Sequence, residues 1–152
     1  MNRETEYRGK RVDNSAWVYG YYVHETQTGR DYIYTGLAPY CGTNVHEVIP
    51  STVGQYTGLK DKNGVKIFEG DDVEFTYWWF DGNPTESILT GTIIYSPALM
   101  SFQLKGIRNK EWQDFTGYEN DDEYLTAFSE LNFAEADFAV IGTIHDTEEQ
   151  NV

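Results

Sequence analysis

The chain has 152 residues, room for one domain or two small ones and too short for two large independent domains. Its 39% apolar and 16% aromatic content, with 12 Tyr, 8 Phe and 4 Trp, excludes a disordered, collagen-like or coiled-coil chain. The net charge of −14 is that of a surface that repels nucleic-acid backbone and anionic lipid, so neither direct nucleic-acid binding nor membrane binding is expected.

No apolar run approaches the roughly 20 residues of a membrane span, and the polar start Met1–Arg11 has no signal-peptide core. A single cysteine, Cys41, excludes an internal disulfide. The charge is uneven. Residues 1–110 hold 11 Lys+Arg and 13 Asp+Glu, a net of −2; residues 111–152 hold 12 Asp+Glu and no cation, a net of −12.

In chain order, Glu4–Val12 predicts a strand, and Asp13-Asn14-Ser15 a turn. Trp17–Val23 follows as a second strand. Trp17, Tyr19, Tyr21 and Val23 share one of its faces, as aromatic and β-branched residues on a pleated surface do. Thr26–Gly29 is a turn, Tyr32–Tyr34 a short strand, and Gly36–Asn44 a loop containing Pro39, Cys41 and Gly42. Val45–Ile49 is extended and stops at Pro50, which cannot donate to a central ladder.

Val53–Leu59 and Val65–Phe68 flank an Asn63-Gly64 pair that tolerates positive φ, a hairpin signal. Val73–Phe80, Ser87–Tyr95, Ser101–Lys105 and Phe138–His145 complete the strands. One short helix is expected over 121–131, capped by Asp121, with Tyr124, Leu125, Phe128 and Leu131 at helical spacing. The sum is an all-β chain with a minor α element, its short strands and glycines suited to a small bent barrel.

Two blocks carry a family resemblance. Gly54-Gln55-Tyr56-Thr57-Gly58-Leu59-Lys60-Asp61-Lys62-Asn63-Gly64 with Ile67-Phe68-Glu69-Gly70-Asp71 is similar to the YopX family of bacteriophage and prophage proteins. Tyr7-Arg8-Gly9-Lys10, Trp17-Val18-Tyr19-Gly20 and Val140-Ile141-Gly142-Thr143-Ile144 extend it to both ends. The family usually has Asn and Tyr where this chain has Thr143 and His145, and residues 106–137 show no match. The resemblance implies a β-rich N-terminal part over 1–52 and a C-terminal SH3-like barrel over 53–152, packed as one unit. It also implies a mobile-element origin and a place in the cytoplasm of a bacterial host. It brings no catalytic residue. The central block has a structural explanation of its own. Gly58, Gly64 and Gly70 mark turns, Tyr56, Leu59, Ile67 and Phe68 fill a core, and Lys60, Asp61 and Lys62 decorate a hairpin end.

Sites of chemistry are sparse. His24, His46 and His145 stand far apart in sequence, and Cys41 has no partner at zinc-site spacing. Asp71-Asp72-Glu74 and Asp121-Asp122-Glu123 are carboxylate clusters without the calcium-loop pattern. The first suits a turn, with Asp71 on its amides, and the second a helix cap. No catalytic, cofactor or metal residue is assigned.

The aromatic run Phe75–Phe80 stands out. Val73, Phe75, Tyr77 and Trp79 share a core face, which puts Trp78 and Phe80 on the other. They must be covered by another layer of the same chain, by the Ser87–Tyr95 hairpin, or by another subunit. Trp78 and Phe80 are the candidate interface residues. The sequence therefore points to a non-enzymatic interaction module, a homo-oligomer or a binder of a host or phage protein. Alternatives are an acidic mimic of nucleic acid that binds a basic host protein and a metal-assisted hydrolase.

Overall fold

The computed structural model describes residues 4–36, 44–80, 84–98, 100–109, 126–127 and 137–146. They are nearly all β, in antiparallel pairings, with one 3-10 turn as the only helical element among them. The chain divides into two compact units, residues 1–59 and 60–152. Among the described residues no helix is long and apolar enough to cross a membrane.

Unit 1 holds β1 (Tyr7–Lys10), β2 (Trp17–Glu25), β3 (Arg30–Tyr34), β4 (Val45–Val48) and β5 (Gly54–Lys60), in the order β4-β3-β2-β1-β5. β2 serves two partners in turn. Trp17–Gly20 pair with β1, and Tyr21–Glu25 pair with β3. At this changeover the Tyr34 carbonyl crosses so close to Gly20 that a Cβ there would lie 1.9 Å from its oxygen, leaving glycine as the residue that fits.

A one-turn 3-10 helix, Pro50–Thr52, separates β4 from β5, and this stretch follows the second edge of β1. Val12 N donates to Glu47 O (3.1 Å), Ile49 N donates to Lys10 O (2.8 Å), and Tyr7 and Arg8 pair with Gln55 and Gly54. Thr52, buried, ties the turn down: its Oγ1 accepts from Lys10 N (2.8 Å) and donates to Ile49 O (2.6 Å). The strand order thus closes on itself through β1. Ile33, Val48 and Tyr56 are its buried apolar residues.

Unit 2 holds β6 (Lys66–Phe68), β7 (Asp71–Phe80), β8 (Pro84–Ser96), β9 (Ser101–Asn109), β10 (Thr126–Ala127) and β11 (Ala139–Thr143). Its sheet runs β10-β9-β8-β7-β11. The β8–β9 register shifts between Thr90 and Thr92, and the β11–β7 register shifts between Val140 and Gly142. Each bulge adds local twist. The core comprises Ile67, Val73, Phe75, Leu89, Ile93, Leu104 and Phe138, with Phe102 and Val140 packed against it. Phe75 and Phe138 stack at 5.0 Å.

The helix expected over 121–131 lies outside the described residues except at Thr126–Ala127. There the backbone is strand, because Leu104 and Gln103 of β9 supply an edge for it to pair with. The loop reading of Gly36–Asn44 likewise rests on residues mostly outside the described set, Cys41 included. Leu59, assigned to a core, is 38% exposed, whereas Tyr56, Ile67 and Phe68 are buried as expected.

Candidate protein interface

The register places the two candidate interface residues on a ribbon of two strands. β7 and β8 stay paired from Asp72↔Thr92 out to Phe80↔Pro84, with Trp78 opposite Glu86. Among the described residues, β11 pairs with β7 over Asp71–Glu74, and β9 pairs with β8 between Leu89 and Ser96. Among the described residues, 75–80 and 84–88 therefore pair only with each other.

The base of this ribbon shows two contrasting faces. Phe75 and its partner Leu89 are buried in the core. Ile88, opposite Thr76, is 45% exposed. Trp78 and Phe80 follow Thr76 at two-residue steps in the sequence.

A second aromatic surface lies on unit 1. Tyr19, Tyr21 and Val23 are exposed, as are Tyr34, opposite Tyr21, and Val45, opposite Tyr34. The alternation within β2 was legible, but the additions from β3 and β4 depend on pairing, which single-strand patterns do not encode. Trp17, on the same parity, is half-buried. The Arg8 guanidinium sits 4.5 Å from its ring centroid and the Lys10 ammonium 5.3 Å, within cation–π range.

Among the described residues no group of three or more His, Cys, Asp or Glu could hold a metal ion. His46 Nε2 lies 3.5 Å from Thr35 Oγ1, and His145, just past the end of β11, is buried. His24 stands directly opposite Asp31 in the β2–β3 register, and its Nδ1 donates to Asp31 Oδ1 at 2.6 Å.

Tyr22 donates to the same oxygen at 2.8 Å. Burial and the hydrogen bond to the Asp31 carboxylate push the Tyr22 phenol up to about 12. Burial alone would raise the Asp31 carboxyl, but the hydrogen bonds from His24 and Tyr22 outweigh it and hold it below the usual range. Asp31→Asn removes the charge. Titration of the Tyr22 ring by NMR should then show its pKa falling from about 12 toward the ordinary value of about 10. An unmoved Tyr22 would refute the assignment to Asp31.

The carboxylates of the Asp71-Asp72-Glu74 cluster have local work. Asp71, buried, accepts from Phe68 N at 2.8 Å, and Asp72 accepts from Thr92 Oγ1 at 2.6 Å. Asp121, Asp122 and Glu123 lie outside the described residues. Asp61 departs from expectation. It is 7% exposed rather than a hairpin decoration, and its carboxylate accepts from Asn63 N (2.8 Å), Val65 N (2.8 Å) and Val140 N (3.0 Å).

The described residues form a chain built of antiparallel β-pairing. Compared with known protein families, residues 6–150 match the family of the YopX protein, through 106–137 where the sequence motifs showed no match, and the chain belongs to that family. No curated protein matches it.

Proposed function

We propose that this chain is a non-enzymatic recognition module of phage or prophage origin. It works in the cytoplasm of a bacterial host, by self-association or by binding a host or phage protein. One observation supports this above the rest: the β7–β8 pairing runs out to Phe80↔Pro84 over a sequence containing Tyr77, Trp78, Trp79 and Phe80, and among the described residues 75–80 and 84–88 pair only with each other. A lone two-stranded hairpin is marginal in water, and large rings concentrate at the dry centres of interfaces.

Light scattering across the micromolar range tests the self-association half. The expected mass exceeds that of one chain, and Trp78→Ser with Phe80→Ser should weaken assembly about tenfold or more, equivalent to about 1.4 kcal/mol. A strict monomer at high micromolar concentration rejects self-association and leaves binding of another protein, tested by capture on the native chain against the double variant.

The charge distribution favours a second reading, anionic mimicry by residues 111–152, whose net charge is −12. Such a segment would occupy the cation-lined cleft of a nucleic-acid-binding protein. Capture from host lysate at low and high salt tests it, and recovery of no basic protein at low salt rejects it.

A further inference from the structure

We propose that Asn63 is a self-modification site: the backbone nitrogen of Gly64 attacks its carboxamide, at a rate set by the grip of Asp61 on the surrounding turn. This is independent of the recognition role proposed above.

The chain has one Asn-Gly pair, Asn63-Gly64, and both residues are exposed. Among the described residues nothing holds the Asn63 carboxamide; the residue is engaged through its backbone N–H, which donates to Asp61 Oδ1. Gly64 has no Cβ to obstruct the approach of its nitrogen to the preceding side chain, and the space a Cβ would fill is open. Asn14 is the contrast. Ser15 follows it, and its Oδ1 is occupied, accepting from Ala16 N at 2.9 Å.

The chemistry needs only water. The Gly64 nitrogen gives its proton to solvent base and bonds to Asn63 Cγ. The Cγ–Nδ2 bond breaks, and the leaving nitrogen takes a proton from water to depart as ammonia. Water then adds to either carbonyl of the cyclic imide and opens it. One opening leaves aspartate at position 63. The other leaves β-aspartate, in which the main chain runs through the former side chain and is one carbon longer. Nothing is oxidised or reduced.

The folded turn restrains the first step. Gly64 N donates to Asp61 O at 3.0 Å, and Asp61 Oδ1 holds Asn63 N and Val65 N on either side of it, each at 2.8 Å. The attacking nitrogen must leave its acceptor, so the reaction waits on local opening of the turn. Asp61 keeps that gate, and it also carries the consequence. Either product sets a new carboxylate two residues from its own. β-Aspartate also lengthens the segment between the two amides that Asp61 Oδ1 bridges. Asp61 Oδ2 accepts from Val140 N at 3.0 Å, and Lys62 N donates to Phe138 O at 2.8 Å, so a loosened turn releases the start of β11.

Incubation of the full chain at mildly alkaline pH tests the site, with peptide mapping by mass spectrometry that separates aspartate from β-aspartate. The expected result is conversion at Asn63 ahead of Asn14, slowest in the native chain and fastest in urea. Asp61→Ala under native conditions should convert about tenfold faster or more, because opening costs less. A second readout needs no variant: native chain aged until Asn63 has converted should exchange the Val140 amide faster than fresh chain. Conversion as fast in the native chain as in urea overturns the gate, and so does an Asp61→Ala rate equal to the native one. A native chain that never converts while the unfolded chain does overturns the site in the folded protein. Unchanged Val140 exchange after conversion overturns the link to β11.

Discussion

Asp61→Ala should lower the free energy of unfolding by about 3 kcal/mol. The carboxylate gathers three backbone amides that belong to two distant segments, Asn63 and Val65 in the turn and Val140 in β11. Alanine leaves all three donors without their acceptor. The turn amides can turn to water, since Asn63 and Val65 are exposed, so the loss stays below the sum of three charged hydrogen bonds. Asp61→Asn should fall between: one oxygen still accepts, but the amide nitrogen meets a donor.

The pH dependence has a defined sign. Burial pushes the Asp61 carboxyl up, but the Val140, Val65 and Asn63 amides prevail and hold it below its usual range. A carboxylate whose folded pKa lies below its unfolded value contributes stability above about pH 4. That contribution fades as pH falls through the folded pKa. Urea unfolding at pH 7 should separate the native chain from Asp61→Ala, and the gap should narrow below pH 4. Equal stability at pH 7 would show that the network is held by other groups.

Gly20→Ala should cost about 3 kcal/mol or more, concentrated in residues 1–59. The added methyl would stand 1.9 Å from the Tyr34 carbonyl oxygen and 2.8 Å from its carbon. These are backbone atoms with no rotamer to change, so relief requires prying β3 from β2 where β2 exchanges one partner for another. Site-resolved hydrogen exchange should show the loss across β1–β5, with the β7–β8–β9 sheet retaining its protection. A variant as protected as the native chain would mean that the two strands separate easily at this crossing.

Much of the architecture was legible because strand residues announce themselves by alternation. Trp17–Val23 and Val73–Phe80 lie within β2 and β7, and the Asn63-Gly64 turn has the expected left-handed glycine, with φ +79°. What escaped was the non-local part. Lys60-Asp61-Lys62 reads as a solvated hairpin end, yet Asp61 reaches Val140 across 79 positions. His24 and Asp31 look unrelated until the β2–β3 register sets them face to face. Trp78 and Phe80 were singled out by their parity. That they stand opposite Glu86 and Pro84 follows from the β7–β8 register, which no local pattern records.

The pairing of β1 with both its sequence neighbour and the end of the unit has a consequence for biosynthesis. Lys10 and Thr52 are bonded across 42 positions, and Tyr7 meets Gln55. A ribosome must therefore deliver nearly the whole unit before its opening strand is fully seated. Contacts this remote in sequence slow folding. During that interval one flank of β1 stays exposed, and a nascent chain stalled before Gly54 would offer it to chaperones or to neighbouring chains.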